Sequence, residues 1–536
     1  MIPGMGRLGQ KLYLRKDVVV EPLIDRWYAW SHLIAPATAA RNVVRRHIPI
    51  MESYIADPEA HASACASPRL MGGPFMNYGS DRTGEIAALR EETVARRSAL
   101  LEFSAAIDSL STQLLKAARG ESLEPIYRSI PRPLGGMLEL AYGLDNRASF
   151  RLLEPLLYRS SCYQPDAQSL MLRRIDSDHR PFIFSTPRLD EADAIHCRAA
   201  FASERVDAIF RLRTQPATIS EITDLFGLPE SGHEMLASLL THEAPRRPSR
   251  YDGPGVRWRY FGHATVLVES RGCAILTDPV VAYPIAGADA RFTIDDLPER
   301  LDFVLLTHGH QDHLVLETLL ALRDRIDTIV VPANNGGALE DPSLALILRA
   351  CGFARVVELA EFGELPLESG AITALPFMGE HCDLNIRSKS AYLVRMGAHS
   401  LMFAADSRNL EPDLYSRIHD LTGDIGTLFL GMECDGAPLN WIYGPLFTDA
   451  IGRAANQSRR ANGSDYAGAI AMIDRIRCRQ AYVYAMGMEP WLQFISSIRY
   501  DAESLPIIES DRLIRAARER GLIAERLFGR GEVVLV

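Results

Sequence analysis

With 536 residues the chain is too long for one ordinary hydrophobic core, so two domains, or three, are expected. A composition of 47% hydrophobic and 24% charged residues is that of a globular protein in water, and a net charge of −10 argues against nucleic acid and against anionic membranes as partners. No run approaches the roughly 20 apolar residues of a membrane span, and the opening "MIPGMGRLGQKLYLRK" has charges but no apolar stretch of a secretory signal. The eight cysteines are scattered without a CxxC clip, which reads as reduced thiols of a cytoplasmic protein.

In chain order, the first part has a mainly helical texture. Residues 85–119 carry apolar side chains at three- and four-residue steps and predict one long helix, ended by Gly120. Thr218 and Glu221 have the spacing of a capping box. The helix it opens, with "GHEMLASLLTH" after it, has a faint helix-turn-helix look. The acidic balance favours two packed surface helices instead. Residues 242–258, rich in proline, glycine and arginine, suit a linker. Domains over 1–245 and 256–536 are therefore expected.

Past the linker the texture changes to short β-rich runs. These are 264–270, 273–278, 302–308, 327–333, 371–377, 390–396, 400–406, 426–432 and 480–486, with helical segments such as "VLETLLALRDRI" between them. That alternation predicts a layered α/β domain. Ionisable residues recur at the strand ends: Asp278, His308, Asp406 and Glu433.

The segment Val304–Val315, "VLLTHGHQDHLV", holds three of the chain's 14 histidines beside a carboxylate. Gly309 lets the backbone turn without a Cβ clash. The imidazoles of His308 and His310 can then converge on one ion, while Asp312 and His313 reach a second. Imidazole and carboxylate are ordinary ligands of zinc, iron and manganese. Around this motif, His263 in "GHAT" reads as a structural histidine at the sheet edge. Asp278 can fix the tautomer of a ligand histidine. Glu433 and Asp435 fit either a pocket border or a polar loop, and Glu489 is a candidate neighbour of the metals. Glu380 and His381 are adjacent rivals as ligands. On a strand they would point to opposite faces, so only one would meet the metals.

These motifs resemble the metallo-β-lactamase superfamily. "YFGHATVLVE" and "ILTDPV" are similar to its first strands, "LLTHGHQDH" to its metal motif and "FAADSR" to the strand carrying its bridging aspartate, here Asp406. The resemblance covers about residues 256–495 and implies an αββα sandwich with a dinuclear site on one edge. Two positions depart from the hydrolytic pattern: "PFMGEHCDLN" offers Glu380 beside His381 where a histidine is usual, and "AYVYAMGMEPWLQF" lacks the last histidine altogether. A ligand set richer in carboxylate favours iron over zinc.

The whole chain is similar to the CmlA-type diiron β-hydroxylases of nonribosomal peptide pathways, in length and in its large leading domain. By that resemblance, His308, His310 and Glu380 would hold one iron, and Asp312 and His313 the other. Asp406 would bridge them, so that Glu380 and Asp406 carry the catalytic centre. The substrate would be an amino acid bound as a thioester to a peptidyl carrier protein of a nonribosomal peptide synthetase. O₂ would be the co-substrate, with two electrons from an external donor. The N-terminal domain would serve carrier docking and homodimer contact. A dinuclear zinc hydrolase is the alternative, with a metal-bound hydroxide as nucleophile, and a non-catalytic scaffold a distant third.

Overall fold

A computed structural model of the chain describes residues 11–228, 232–246 and 248–536. Each of the nine β-rich runs forms a strand. They belong to two seven-stranded sheets packed face to face. The first sheet runs Val356–Leu359, Ile326–Pro332, Leu301–Leu305, Cys273–Thr277, Thr265–Ser270, Val256–Gly262 and Gly531–Leu535. The second runs Glu364–Leu367, Gly370–Leu375, Ala391–Met396, His399–Phe403, Thr427–Gly431, Gln480–Tyr484 and Ile523–Arg526. Five strands lie outside those runs: Val256–Gly262 begins within the expected linker 242–258, which therefore ends at residue 255, and four outer strands (356–359, 364–367, 523–526 and 531–535) escape a sequence reading. The outer four have a common reason. They are only four or five residues long and mix exposed polar side chains with apolar ones.

The central strands are near-continuous apolar runs because both sheet faces are covered. Val266, Val268, Ile275, Leu305 and Val330 face the second sheet, packing with Tyr392, Val394, Phe403, Phe429 and Tyr484. Their neighbours Leu267, Leu276, Val304 and Ile329 face the other way, into a cluster shared with Val18, Val20, Leu170 and Leu172 of the N-terminal part. The outer face of the second sheet is covered by helices Pro412–Thr422 and Tyr466–Ile476. Parallel pairing brings the C-terminal ends of Cys273–Thr277 and Leu301–Leu305 together in one sheet. It does the same for His399–Phe403, Thr427–Gly431 and Gln480–Tyr484 in the other. Asp278, His308, Asp406 and Glu433 follow these ends.

The N-terminal part mixes helices with a four-stranded antiparallel sheet in the order Trp27–Tyr28, Val18–Ile24, Gln168–Arg174 and Ala194–Arg198. The single long helix expected over 85–119 is two, Thr83–Arg96 and Ser98–Ala117. The break falls at Arg97, whose buried guanidinium forks onto Asp25 at 2.6 and 2.7 Å. Holding both ends of that fork takes Arg97 out of helical geometry (φ −107°, ψ 22°), which apolar periodicity cannot report. The capping box at Thr218 and Glu221 forms as expected and opens helix Ile219–Phe226. A second short helix, His233–Ser238, follows, and residues 229–231 lie outside the described residues. The described residues between Leu240–Thr241 and Val256–Gly262 carry no helix or strand. All eight cysteines are free. Among the described residues, no helix is long and apolar enough to cross a membrane.

A buried charge network ties the N-terminal part to the sandwich. Arg180 donates to Glu21 at 2.5 Å and to Glu317 at 2.6 Å, and Arg188 donates to Glu21 at 3.0 Å. The hydroxyls of Tyr28 and Tyr283 complete Glu317 at 3.0 and 2.8 Å. Burial pushes the Glu21 carboxyl up, but Arg188 and Arg180 outweigh it and hold it below the usual carboxylate range. Glu317 sits on helix Leu316–Leu322, which begins directly after the histidine motif.

Candidate metal centre

His308, His310 and His313 lie on the turn after strand Leu301–Leu305, and each ring has one nitrogen occupied by the protein. His313 Nδ1 pairs with Asp278 Oδ2 at 2.9 Å, leaving Nε2 to face Asp406 Oδ2 at 2.9 Å. His308 Nδ1 meets the Thr307 hydroxyl at 3.0 Å, leaving Nε2 inward. His310 is turned the other way: Nε2 meets the Tyr443 hydroxyl at 2.6 Å, and Nδ1 lies 2.6 Å from Glu380 Oε1 and 3.2 Å from His308 Nε2. Such outer partners fix tautomer and ring orientation. Asp278 therefore holds the place expected of it, and it also accepts from the Thr307 amide and hydroxyl at 2.7 and 2.6 Å.

The donors gather in three groups: His308, His310, Glu380 and His381; His308, His313 and Asp406; and His263, Asp312 and His313. All six residues expected as ligands are thus together. The alternation argument for Glu380 and His381 fails. Residues 379–383 are not on a strand, and Gly379, Glu380, Cys382 and Asp383 all have positive φ (76°, 64°, 54° and 57°). This left-handed turn brings both side chains inward, with His381 Nδ1 2.8 Å from Glu380 Oε2. Each non-glycine residue held there costs about 1–3 kcal/mol, which the surrounding packing must offset. His263 (φ 51°), Asp278 (32°) and Ala405 (46°), the neighbour of Asp406, share this backbone region around the centre.

His263 is nearer the centre than its sequence suggests, yet its tautomer argues against ligation. Its Nδ1 accepts from the Gly487 amide at 3.2 Å, so in the neutral ring Nε2 keeps the proton; that nitrogen faces Asp312 Oδ2 at 3.5 Å without hydrogen-bond alignment. It also receives the Ala485 amide on its carbonyl. An imidazole therefore stands beside the end of strand Gln480–Tyr484, supplied from the turn between Val256–Gly262 and Thr265–Ser270, and it faces Asp312. Glu489 joins none of the donor groups. It is buried, and accepts from the Tyr260 hydroxyl at 2.5 Å. Asp435 is exposed and pairs with Arg460 at 3.1 Å. Glu433 belongs to the centre electrically: burial first, then the carboxylates of Asp406, Asp312 and Glu380, hold its carboxyl well above the usual range. Burial also pushes Glu380 up, but His310, His381 and His308 outweigh it and keep it ionised.

Sequence reasoning did not find two further contributors. Ser31, from the N-terminal part, donates its hydroxyl to the Gly309 carbonyl at 2.6 Å. Tyr443 lies 133 residues beyond the histidine it orients. Neither carries a local signal.

The donor set fits a metal pair. His313 Nε2, Glu380 Oε2, His381 Nδ1 and Asp406 Oδ1 are buried without a hydrogen-bond partner. Buried polar atoms are normally satisfied. Here His381 Nδ1 approaches Glu380 Oε2 to 2.8 Å and His313 Nε2 approaches Asp406 Oδ2 to 2.9 Å without hydrogen-bond alignment, as ligand atoms around shared cations do. The histidines and carboxylates at the edge of a two-sheet sandwich define the metallo-β-lactamase class. The beta-lactamase superfamily domain profile matches residues 274–429.

Residues 13–245 match the profile described as "Diiron non-heme beta-hydroxylase N-terminal domain". The 4-amino-L-phenylalanyl-[CmlP-peptidyl-carrier-protein] 3-hydroxylase of Streptomyces venezuelae is 40% identical over 523 residues, covering 96% of this chain and 98% of that one. The crystal structure of CmlA, a diiron β-hydroxylase from the same organism, superposes with a TM-score of 0.92 at 38% identity, covering 98% of this chain and all of that one. A metal-dependent hydrolase of Xanthobacter autotrophicus is 28% identical over 137 residues, 25% of this chain and 51% of the relative. The chain belongs to the diiron non-heme β-hydroxylase family and is an enzyme of that class.

Proposed function

We propose that the enzyme inserts one oxygen atom of O₂ into the β C–H bond of an amino acid held as a thioester on a peptidyl carrier protein of a nonribosomal peptide synthetase. In balance, R–H, O₂, two electrons and two protons give R–OH and water, the electrons coming from an external donor. The observation that carries this reading is Glu380. A carboxylate converges on His308 and His310 where hydrolases of this fold use a third histidine, and hard oxygen donors suit iron. The 40% identical relative, named for its action on a carrier-bound amino acid, supports it.

In this reading His308, His310 and Glu380 would hold one iron and Asp312 and His313 the second, with Asp406 shared between them; His381 belongs to the donor group of His308, His310 and Glu380. Two irons, when bound, supply O₂ binding and two-electron redox chemistry that no side chain can. The chain's own part is to hold the ligand rings in one tautomer through Asp278, Thr307 and Tyr443. It also keeps Asp312 ionised beside His263, and excludes water behind the N-terminal segment at Ser31. Residues 1–245 form a domain that docks the carrier and makes a homodimer contact. Residues 256–536 form the catalytic domain. The enzyme works in the cytoplasm, in the biosynthesis of a peptide antibiotic.

The test is metal analysis with isotope labelling. Two irons per chain and a product heavier by one ¹⁸O from ¹⁸O₂, but not from H₂¹⁸O, are expected. Stoichiometric zinc with oxygen-independent turnover would sink the proposal.

A further inference from the structure

His308, His310 and Glu380, with Asp406 shared, account for the first metal in the reading above and leave His381 without a task. We propose that His381 is a further protein ligand of that metal, through Nδ1, so that exogenous ligands meet the pair at the second metal. The inference rests on the metal pair proposed above and not on its oxygen chemistry.

The turn at residues 379–383 holds His381 inward against its own preference. Glu380, Cys382 and Asp383 keep left-handed backbone without being glycine. Such residues persist only where the surroundings impose the conformation, and they cluster at functional sites. Here Arg459 donates to the Cys382 carbonyl at 2.9 Å, Lys389 to the Gly379 carbonyl at 3.2 Å and the Arg408 amide to the Met378 carbonyl at 2.8 Å. A Cβ at Gly379 would lie 2.5 Å from that of Arg408, so the turn is pressed against the segment that follows Asp406. The ring it delivers is 3% exposed. It stacks on His310 with centroids 4.6 Å apart and stands edge-on to His308 at 5.2 Å.

A buried histidine with a purely structural task has its nitrogens satisfied within the protein. His381 Nδ1 is buried without a hydrogen-bond partner, 2.8 Å from Glu380 Oε2, which has none either. Donor atoms of His308, His310, Glu380 and His381 all lie within 4.8 Å of one another. Metal bonds of about 2.0–2.2 Å set the donors of one ion roughly 3–4.4 Å apart, so a small contraction lets all four share one ion. The second position is poorer in donors. Asp312 and His313 belong to it, Asp406 is shared, and His263 keeps a proton on the nitrogen that faces Asp312. The first metal then has three imidazoles and two carboxylates, and the second one imidazole and two carboxylates. Open positions, which a catalytic metal needs, fall mainly on the second.

The test loads the full chain with cobalt(II). Each ligand imidazole then carries one exchangeable N–H proton whose ¹H resonance is shifted far outside the ordinary range, so ligand histidines can be counted. Four such resonances are expected in the wild type, three in His381→Ala and four in His263→Ala, with two cobalt ions per chain by metal analysis. Three in the wild type overturns the assignment, as does a resonance lost in His263→Ala and none in His381→Ala. Should His381→Ala fail to fold, His263→Ala decides alone, because four resonances there leave His381 as the only source of the fourth. Azide is then titrated into the wild type. It should move one resonance, that of His313, and leave three in place. Movement of the other three, or of none, overturns the asymmetry. A chain that takes up one cobalt removes the metal pair, and this inference with it. None of these outcomes depends on hydroxylation, so the oxygen chemistry can fail its isotope test with the ligand count intact.

Discussion

Two clusters of buried charge flank the segment from His308 to Glu317, and they meet the cost of burial in opposite ways. In the Glu21–Arg180–Glu317–Arg188 network each carboxylate is matched by a guanidinium, and two tyrosine hydroxyls complete Glu317. At the metal centre Asp312, Glu380 and Asp406 face imidazoles, and several donor atoms stay unpaired. The first cluster is complete as it stands and acts as a brace between the two parts of the chain. The second is completed only by added positive charge. A buried ionic cluster is thus read by what it leaves unsatisfied, more than by how many charges it contains.

The sharpest way to break this comparison is at Asp406. Asp406→Ala should lower hydroxylation and bound metal by more than the roughly 10–100-fold that loss of an outer partner costs, measured by turnover and metal analysis. A variant with full metal content would remove Asp406 from the centre. In the brace, Arg180→Leu leaves the buried Glu317 with hydroxyl partners alone, while Glu21 keeps Arg188, and should cost about 3–5 kcal/mol in urea unfolding. A loss under about 1 kcal/mol would show that the brace carries no strain of pairing. Asp278→Asn separates the two roles: metal affinity should fall roughly 10–100-fold. Metal affinity equal to wild type would show that Asp278 does not orient His313.

A third buried carboxylate has neither kind of partner and gives the smallest effect. Glu154 accepts from the Ser343 amide at 3.0 Å and the Asn334 side chain at 3.1 Å. Burial, helped by Asp341 and opposed by the Ser343 amide, pushes its pKa from 4.5 up to about 7. With the folded pKa raised, its contribution to stability is present below about pH 4.5 and lost as pH rises through about 7. The amount is at most about 3 kcal/mol. Glu154→Gln should flatten the stability profile across that window in denaturant titrations. An unchanged slope would show that Glu154 titrates normally.

The strands were legible because a sheet covered on both faces needs long apolar runs, and the metal motif because four donors fall within six residues. Glu380 was legible as an oddity of sequence. The inward turn of His381 was not, because the left-handed backbone at 379–383 is held by tertiary packing and only one of its four positive-φ residues is glycine. The place of His263 beside Asp312 depends on the Gly487 amide, 224 residues away. Arg97 broke a helix that periodicity made continuous, because Asp25, 72 residues upstream, captured its guanidinium.

Arg41 shows what such distances mean for the birth of the protein. Its fully buried guanidinium donates to the carbonyls of Pro445 and Phe447, 404 and 406 residues further along. At ribosomal rates of about 5–20 residues per second, roughly 20–80 seconds pass between the emergence of Arg41 and of its acceptors. Through that interval Trp27, Trp30 and their neighbours lack the surface that finally covers them. The segment around Arg41 therefore waits longest for its cover, and slowed translation late in the message should cost yield before it costs activity.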